Sequence, residues 1–162
     1  MVFRLVGLIG LTLLPVAAGA TEPALHQALA GWLDDDGAAA MRYQPEAASG
    51  ITQPPPRWLL HPQGADALNR KLLQRGMFPE AVNLDWREDV GPVLVFGARH
   101  SGGGLRLLVD RDRQRPVELE TDNGIRWRFS DYESRPGRHT GTPERVIRLG
   151  NEGEKTVYTP LR

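Results

Sequence analysis

The feature that most constrains this fold is an alternation of apolar and polar residues that begins at Val82 and recurs until Thr159. Residues two apart lie on one face of a strand, so this period predicts β-strands with one apolar face. Seven strands are predicted, near residues 82–87, 93–99, 105–110, 116–121, 125–131, 145–149 and 155–159. Short turns such as Asp122-Asn123-Gly124 join them, so consecutive strands must pair antiparallel.

One face of this predicted meander is apolar. Its central members are Leu105, Leu107, Val109, Val117, Leu119, Ile125, Trp127 and Phe129. The alternate positions hold charged residues, and Glu118 and Glu120 would lie beside Arg126 and Arg128 on the next strand. Since opposite charges on neighbouring strands attract, we predict a solvated second face on which these side chains pair.

Two segments with helical period precede the strands. Residues 22–33 place their apolar positions on one stripe, and a second helix at about residues 64–75 buries Leu68 and Leu72 and ends before Gly76. Between them, residues 38–61 are weakly patterned. A strand can start there at Met41 or Tyr43, Pro54-Pro55-Pro56 forms an ordered connector, and Arg57 to His61 forms a short strand or turn.

An apolar sheet face must be covered, and these two helices are the cover that the sequence offers. We therefore predict an α+β fold: a curved antiparallel β-meander, or incomplete barrel, with two helices covering its apolar concave face. Periodicity and composition leave two alternatives open for this face. It is either a dry core or one wall of a lipid-sized cleft.

Residues 1–20 have the pattern of a secretory signal peptide. Arg4 provides the positive start, Leu5 to Leu14 the apolar run, and Ala18-Gly19-Ala20 a small-residue cleavage site. That run is shorter than the roughly 20 apolar residues that span a bilayer, and the sequence contains no cysteine for lipid attachment. We expect one domain over residues 21–162 and a soluble periplasmic protein with no lipid anchor and no transmembrane segment.

Composition argues against several classes of function. Lys+Arg and Asp+Glu number 20 each, so no overall positive charge favours nucleic acid or an anionic lipid surface. The histidines, at His26, His61, His100 and His139, lack the close spacing of a local metal site. We therefore predict no metal, no cofactor and no nucleic-acid partner.

Two local patterns resemble chemical sites but are incomplete. His100-Ser101 suggests a hydrolase, yet Arg99 occupies the position where a nucleophile elbow needs glycine. Asp110-Arg111-Asp112 suggests the start of a calcium loop, yet Arg115 occupies its glycine position. We expect a hairpin loop and a polar turn at these places, and we predict that the protein is not an enzyme.

The order of features from Leu68 onward resembles a known superfamily. The similarity rests on Val93 to Ala98, Leu105 to Asp112, the strand Arg115-Pro116-Val117-Glu118-Leu119, and Phe129-Ser130-Asp131-Tyr132. These segments resemble the periplasmic lipoprotein-carrier and outer-membrane lipoprotein-sorting proteins (LolA-like). The resemblance implies an incomplete antiparallel barrel whose concave side holds acyl chains without catalysis. The part before the second helix is shorter here than in that superfamily.

Two hypotheses of function follow. In the first, the protein is a periplasmic lipid- or lipoprotein-binding module related to outer-membrane lipoprotein sorting. Its eight apolar-face residues, from Leu105 to Phe129, would form the ligand-binding cleft, and its partners would be acyl chains of lipoproteins or other lipids, together with envelope proteins. In the alternative, it is a non-transporting envelope interaction or sensor domain, and the same face is a packed core. A hydrolase centred on Ser101 is a third hypothesis, and it would need His61 or His139 within hydrogen-bond reach.

Overall fold

A computed structural model describes residues 42–47, 53–60, 65–77, 81–132 and 142–161. The predicted signal peptide (1–20) and the predicted helix at 22–33 lie outside these residues. Within the described ranges, no helix is long and apolar enough to cross a bilayer.

The described residues form one antiparallel sheet of eight strands. The strands are β1 Tyr43–Pro45, β2 Ala81–Arg87, β3 Gly91–Gly97, β4 Arg106–Asp110, β5 Arg115–Glu120, β6 Arg126–Tyr132, β7 Pro143–Leu149 and β8 Lys155–Pro160. Their spatial order is β1-β8-β7-β6-β5-β4-β3-β2. The seven predicted strands are therefore confirmed as β2 to β8, each paired with its neighbour in sequence.

The structure adds the short strand β1, which begins at Tyr43. It pairs antiparallel with β8, and Tyr43 lies opposite Pro160. The Tyr43 hydroxyl also donates a hydrogen bond of 2.8 Å to the carbonyl of Pro143. Strand β1 thus forms one edge of the described sheet and β2 forms the other.

Two short helices lie between β1 and β2. Helix α1 spans Arg57–Leu60, where the sequence had suggested a short strand or turn. Its first turn is closed by the carbonyl of Pro56, which accepts hydrogen bonds from the backbone of Leu59 at 2.9 Å and Leu60 at 3.1 Å. Four residues are too few to display a helical period, so the sequence pattern could not distinguish this helix from a strand.

Helix α2 spans Ala65–Leu73 and confirms the predicted second helix. Gly76, with φ of 77°, ends it in the left-handed conformation. The backbone N–H of Gly76 bonds to the carbonyl of Leu73, and that of Met77 bonds to the carbonyl of Leu72, both at 3.0 Å. This is the Schellman arrangement, and Met77 and Leu72 both belong to the same hydrophobic cluster, as that motif favours.

Two hydrophobic clusters occupy opposite faces of the sheet. Successive cross-strand pairs of β3 and β4 belong to different clusters. Leu94 and Val109 form a pair in the main cluster, and the next pair, Val95 and Leu108, belongs to the second cluster. The main cluster has the buried members Leu59, Leu60, Leu68, Leu72, Met77, Leu94, Phe96, Leu107, Val109, Leu119, Trp127, Phe129, Val146 and Tyr158. The second cluster has the buried members Val93, Val95, Leu108 and Val117. Both faces of β3 and β4 are therefore buried.

Candidate functional site

Seven of the eight predicted cleft residues lie together in the main cluster or against it. Five of these residues are buried members of the main cluster: Leu107, Val109, Leu119, Trp127 and Phe129. Leu105 and Ile125 are partly buried and pack against this cluster. The period of two therefore located one continuous apolar face from β4 to β6.

Val117 does not lie with the other seven. Strand β5 has a bulge, since Leu108 pairs with Glu118 while its neighbour Val109 pairs with Pro116. A bulge places two residues of one strand opposite one residue of its partner and interrupts the alternation of side chains. Val117 is the extra residue, and it packs in the second cluster with Leu108.

The apolar face is closely packed in the described residues. The five buried predicted residues are between 0% and 4% exposed. Helices α1 and α2 contribute Leu59, Leu60, Leu68 and Leu72 to the same cluster. In this state the face is filled by protein side chains.

The apolar face continues to the β2 edge of the sheet. Leu84 pairs with Leu94, and Trp86 pairs with Pro92, so both side chains lie on the face of the main cluster. They are large and apolar, yet Leu84 is 49% exposed and Trp86 is 70% exposed. Unpaired edge strands with exposed apolar residues are sites where another molecule can add.

A polar pair interrupts the apolar face at its other side. Arg148 on β7 pairs across the sheet with Trp127 on β6 and with Thr156 on β8. Both polar residues are buried. Neighbouring Tyr158 has its pKa raised by burial, and the positive charge of Arg148 opposes that effect. The sequence pattern does not indicate a role for Arg148, because a charged residue in an alternating strand is expected to face solvent.

The opposite face differs from the predicted solvated surface. Glu118 and Glu120 are both buried there. Glu118 Oε2 accepts hydrogen bonds from Arg128 Nε at 2.8 Å and from Arg87 Nη1 at 2.9 Å. The predicted pairing of Glu118 with Arg128 is confirmed, although its carboxylate is buried instead of solvated.

Glu120 has other partners than the predicted Arg126. Its carboxylate accepts hydrogen bonds from Ser101 Oγ at 2.9 and 3.0 Å and from the backbone N–H of Gly102 at 2.6 Å. The hydroxyl of Ser101, in the β3–β4 loop, is thereby bound to the carboxylate of Glu120 on β5. His61 and His139, which a hydrolase centred on Ser101 would require, lie outside the described residues.

A pocket of about 360 Å³ opens on this opposite face. Its wall includes Arg87, Arg115 and Arg128 around the apolar side chains of Val117 and Ile147. The arginine charges are compensated within the protein, because all three form ion pairs with buried carboxylates. We therefore assign no ligand to this pocket.

Asp110 is the last residue of β4 and begins the β4–β5 turn. Its Oδ1 accepts hydrogen bonds from the backbone of Asp112 at 3.1 Å and of Arg113 at 2.9 Å, and its Oδ2 accepts one from Arg113 Nη1 at 3.2 Å. The carboxylate is thus satisfied by its own turn, as expected for a polar turn. In the part of the chain that the structure describes, no group of three or more potential ligands is arranged to hold a metal ion.

Comparisons with protein-family models, with curated proteins and with solved structures found no match for this chain.

Proposed function

We propose that the protein is a periplasmic acyl-chain-binding module, with a LolA-like arrangement in which α1 and α2 cover the concave apolar face of the sheet. The observation that most supports this is the composition of the main cluster. Two helices, of four and nine residues, contribute leucines to the cluster. The other apolar side chains of the cluster come mainly from six strands, β3 to β8. Apolar contact is non-directional, so an acyl chain can replace those leucines without leaving specific bonds broken.

The energy of this exchange sets the length of a suitable chain. Burying one leucine contributes about 1.5–3 kcal/mol, so withdrawing four leucines costs about 6–12 kcal/mol. A buried methylene contributes ~0.8 kcal/mol. A chain of about 8 to 15 methylenes is therefore needed to offset the displaced leucines. Chains of the length found in membrane lipids satisfy this condition, and much shorter ones do not.

The exposed end of the apolar face supplies an entry point for the chain. Leu84 and Trp86 extend the face of the main cluster to the β2 edge and remain largely exposed. An acyl chain that first contacts these side chains lies next to Leu94 in the adjacent strand. Uptake would then proceed along one continuous surface.

A second candidate function is an envelope interaction domain that binds no lipid. The near-complete burial of Leu107, Val109 and Leu119 favours it, because a permanently filled core has the same appearance. In that case the exposed β2 edge would take an added strand from a protein partner. The two functions differ in whether the main cluster ever opens.

The deciding experiment measures uptake against chain length. The full mature protein is titrated with fluorescent fatty acids of 8, 12 and 16 carbons, and its organic extract is analysed by mass spectrometry. Saturable binding of the 16-carbon probe, with little binding of the 8-carbon probe, supports the acyl-chain module. A folded protein that binds none of the probes and yields no lipid contradicts it and favours the interaction domain.

Location is tested separately. We propose that residues 1–20 are removed and that the remaining chain resides in the periplasm. N-terminal sequencing of the exported protein is expected to start at Thr21. Recovery of Met1 from functional material would contradict this.

A further inference from the structure

Arg148 and Thr156 form a buried polar pair at one side of the apolar face. They lie directly opposite each other on β7 and β8. The preceding inward-facing pair on the same strands is Val146 and Tyr158, and both of these belong to the main cluster. Trp127, another cluster member, flanks Arg148 on the β6 side. The pair therefore adjoins the surface that the acyl chain would occupy.

Each residue of the pair has one buried polar atom whose hydrogen-bonding capacity is unused. Arg148 is 8% exposed and Thr156 is 4% exposed. Among the residues that the structure describes, Arg148 Nε and Thr156 Oγ1 are both buried without a hydrogen-bond partner. A buried charge or hydroxyl without a partner costs free energy, so such groups normally have one.

The ion pair between Arg148 and Glu154 satisfies only part of the Arg148 guanidinium. Arg148 Nη1 lies 3.5 Å from Glu154 Oε2, and the Glu154 side chain is 49% exposed. An ion pair at this distance, with one partner half exposed to water, contributes little to stability. The guanidinium retains donors, because arginine has five N–H groups in a planar fork.

We propose that Arg148 and Thr156 bind the oxyanion headgroup of the amphiphile whose chain lies on the main cluster. This inference rests on the proposed acyl-chain function. A carboxylate or a phosphate supplies the acceptors that Arg148 Nε lacks, and the guanidinium fork matches the geometry of both groups. The Thr156 hydroxyl donates a further hydrogen bond. The tail of the same molecule extends past Trp127 and Val146.

The test compares four ligands with tails of equal length. Palmitate, hexadecyl phosphate, hexadecanol and methyl palmitate are used to displace a fluorescent fatty acid from the wild type. Charge-assisted hydrogen bonds of this kind correspond to about tenfold or more in affinity. We expect both anions to bind at least that much more tightly than the two neutral ligands, and the ratio of palmitate to hexadecyl phosphate then distinguishes carboxylate from phosphate.

Variants assign the preference to the pair. Arg148→Gln is expected to abolish the advantage of the anions while leaving hexadecanol binding unchanged, and Arg148→Lys is expected to restore part of it. Thr156→Val should reduce the advantage to a smaller extent. Arg126→Gln is the matched control, because Arg126 lies opposite Glu120 in the strand register and on the other face of β6 from Trp127. Circular dichroism verifies that each variant is folded.

A second measurement keeps the test decisive if Arg148→Gln does not fold. The side-chain Nε–H resonance of Arg148 in wild type should shift on addition of palmitate and remain unchanged on addition of hexadecanol. Equal binding of anionic and neutral ligands by wild type overturns the headgroup site and leaves the acyl-chain function standing. Failure of all four ligands to bind overturns both proposals.

Discussion

Glu118 and Arg128 face each other across β5 and β6, and Arg128 Nε donates a hydrogen bond of 2.8 Å to Glu118 Oε2. The glutamate side chain is only 5% exposed. Arg87 approaches the same oxygen from β2 at 2.9 Å. One buried carboxylate therefore links three strands that are not all adjacent in the sheet, and its charge is compensated by two guanidinium groups.

Replacing this carboxylate should lower stability. Glu118→Gln leaves a neutral amide between two arginines, and hydrogen bonds to charged groups contribute about 1.5–3 kcal/mol each. Because both arginines retain access to water, we expect a loss of about 1–3 kcal/mol in the free energy of unfolding. The measurement is the urea midpoint. The control is Glu152→Gln in the exposed β7–β8 turn, which should change stability by less than about 0.5 kcal/mol. Equal effects of the two substitutions would show that the Glu118 contacts contribute nothing.

Glycine at position 97 is required by both conformation and space. Gly97 has φ of 86°, and a Cβ there would lie 2.2 Å from the Leu105 carbonyl oxygen. Gly102 has φ of 78° with no atom within 4 Å of its Cβ position, so it isolates the conformational cost. Gly102→Ala should lower the free energy of unfolding by about 1–2 kcal/mol. Gly97→Ala should lower it by about 1–3 kcal/mol more, because the backbone at Leu105, just before β4, must move. Urea unfolding of both variants measures this difference, and similar midpoints would contradict it.

The three tyrosines should make stability fall in alkaline solution. Burial raises the pKa of Tyr43, Tyr132 and Tyr158 above the usual value of 10.0. Above that pH the unfolded chain loses tyrosine protons that the folded chain retains, so the unfolded state is favoured. The stabilisation is complete below about pH 10 and is lost as pH rises through the folded-state values.

The measurement combines unfolding curves at pH 8–12 with absorbance of tyrosinate near 295 nm. Tyrosinate should appear together with unfolding, and Tyr43→Phe should flatten the alkaline loss of stability. Full ionisation of all three tyrosines near pH 10 in a protein that remains folded would refute this prediction.

The sequence predicted the strands well because their signal is local. Period-two alternation and turns such as Asp122-Asn123-Gly124 locate each strand, and antiparallel pairing then follows from the short connections. The position of Val117 could not be predicted in the same way. A bulge adds one residue to β5 without changing the alternation of residue types around it, so only the pairing with β4 reveals the altered face.

The burial of two polar residues, Glu118 and Arg148, was not predicted, for a different reason. Glu118 was expected on a solvated face, and nothing in the sequence pattern distinguished Arg148, since charged residues in strands are usually exposed. Their burial depends on residues distant in sequence: the Arg87 side chain reaches Glu118 only because β2 and β5 belong to the same sheet. Helix α1 was missed because four residues display no period. Non-local contacts of this kind leave no pattern in a single sequence.

Trp127 and Trp86 lie on the same face of the sheet, but substitution should lower the free energy of unfolding strongly at Trp127 and hardly at Trp86. Trp127 is 2% exposed within the main cluster. Trp127→Ala should therefore cost about 3–5 kcal/mol, from lost burial and the resulting cavity. Alanine is preferable to glutamate at this position, because Arg148 lies directly across from residue 127 and would pair with an introduced carboxylate.

Trp86 is the matched control for position 127, and it also tests the entry point. Its side chain is 70% exposed at the β2 edge, so Trp86→Lys should change the free energy of unfolding by less than about 0.5 kcal/mol. If acyl chains enter along this edge, the same substitution should slow association of the 16-carbon probe measured by stopped-flow fluorescence. Leu161→Lys, at another exposed apolar residue, serves as the control for nonspecific effects of a surface charge. An unchanged association rate for Trp86→Lys would place the entrance elsewhere, whereas a loss of stability comparable to that of Trp127→Ala would show that residue 86 is buried in solution.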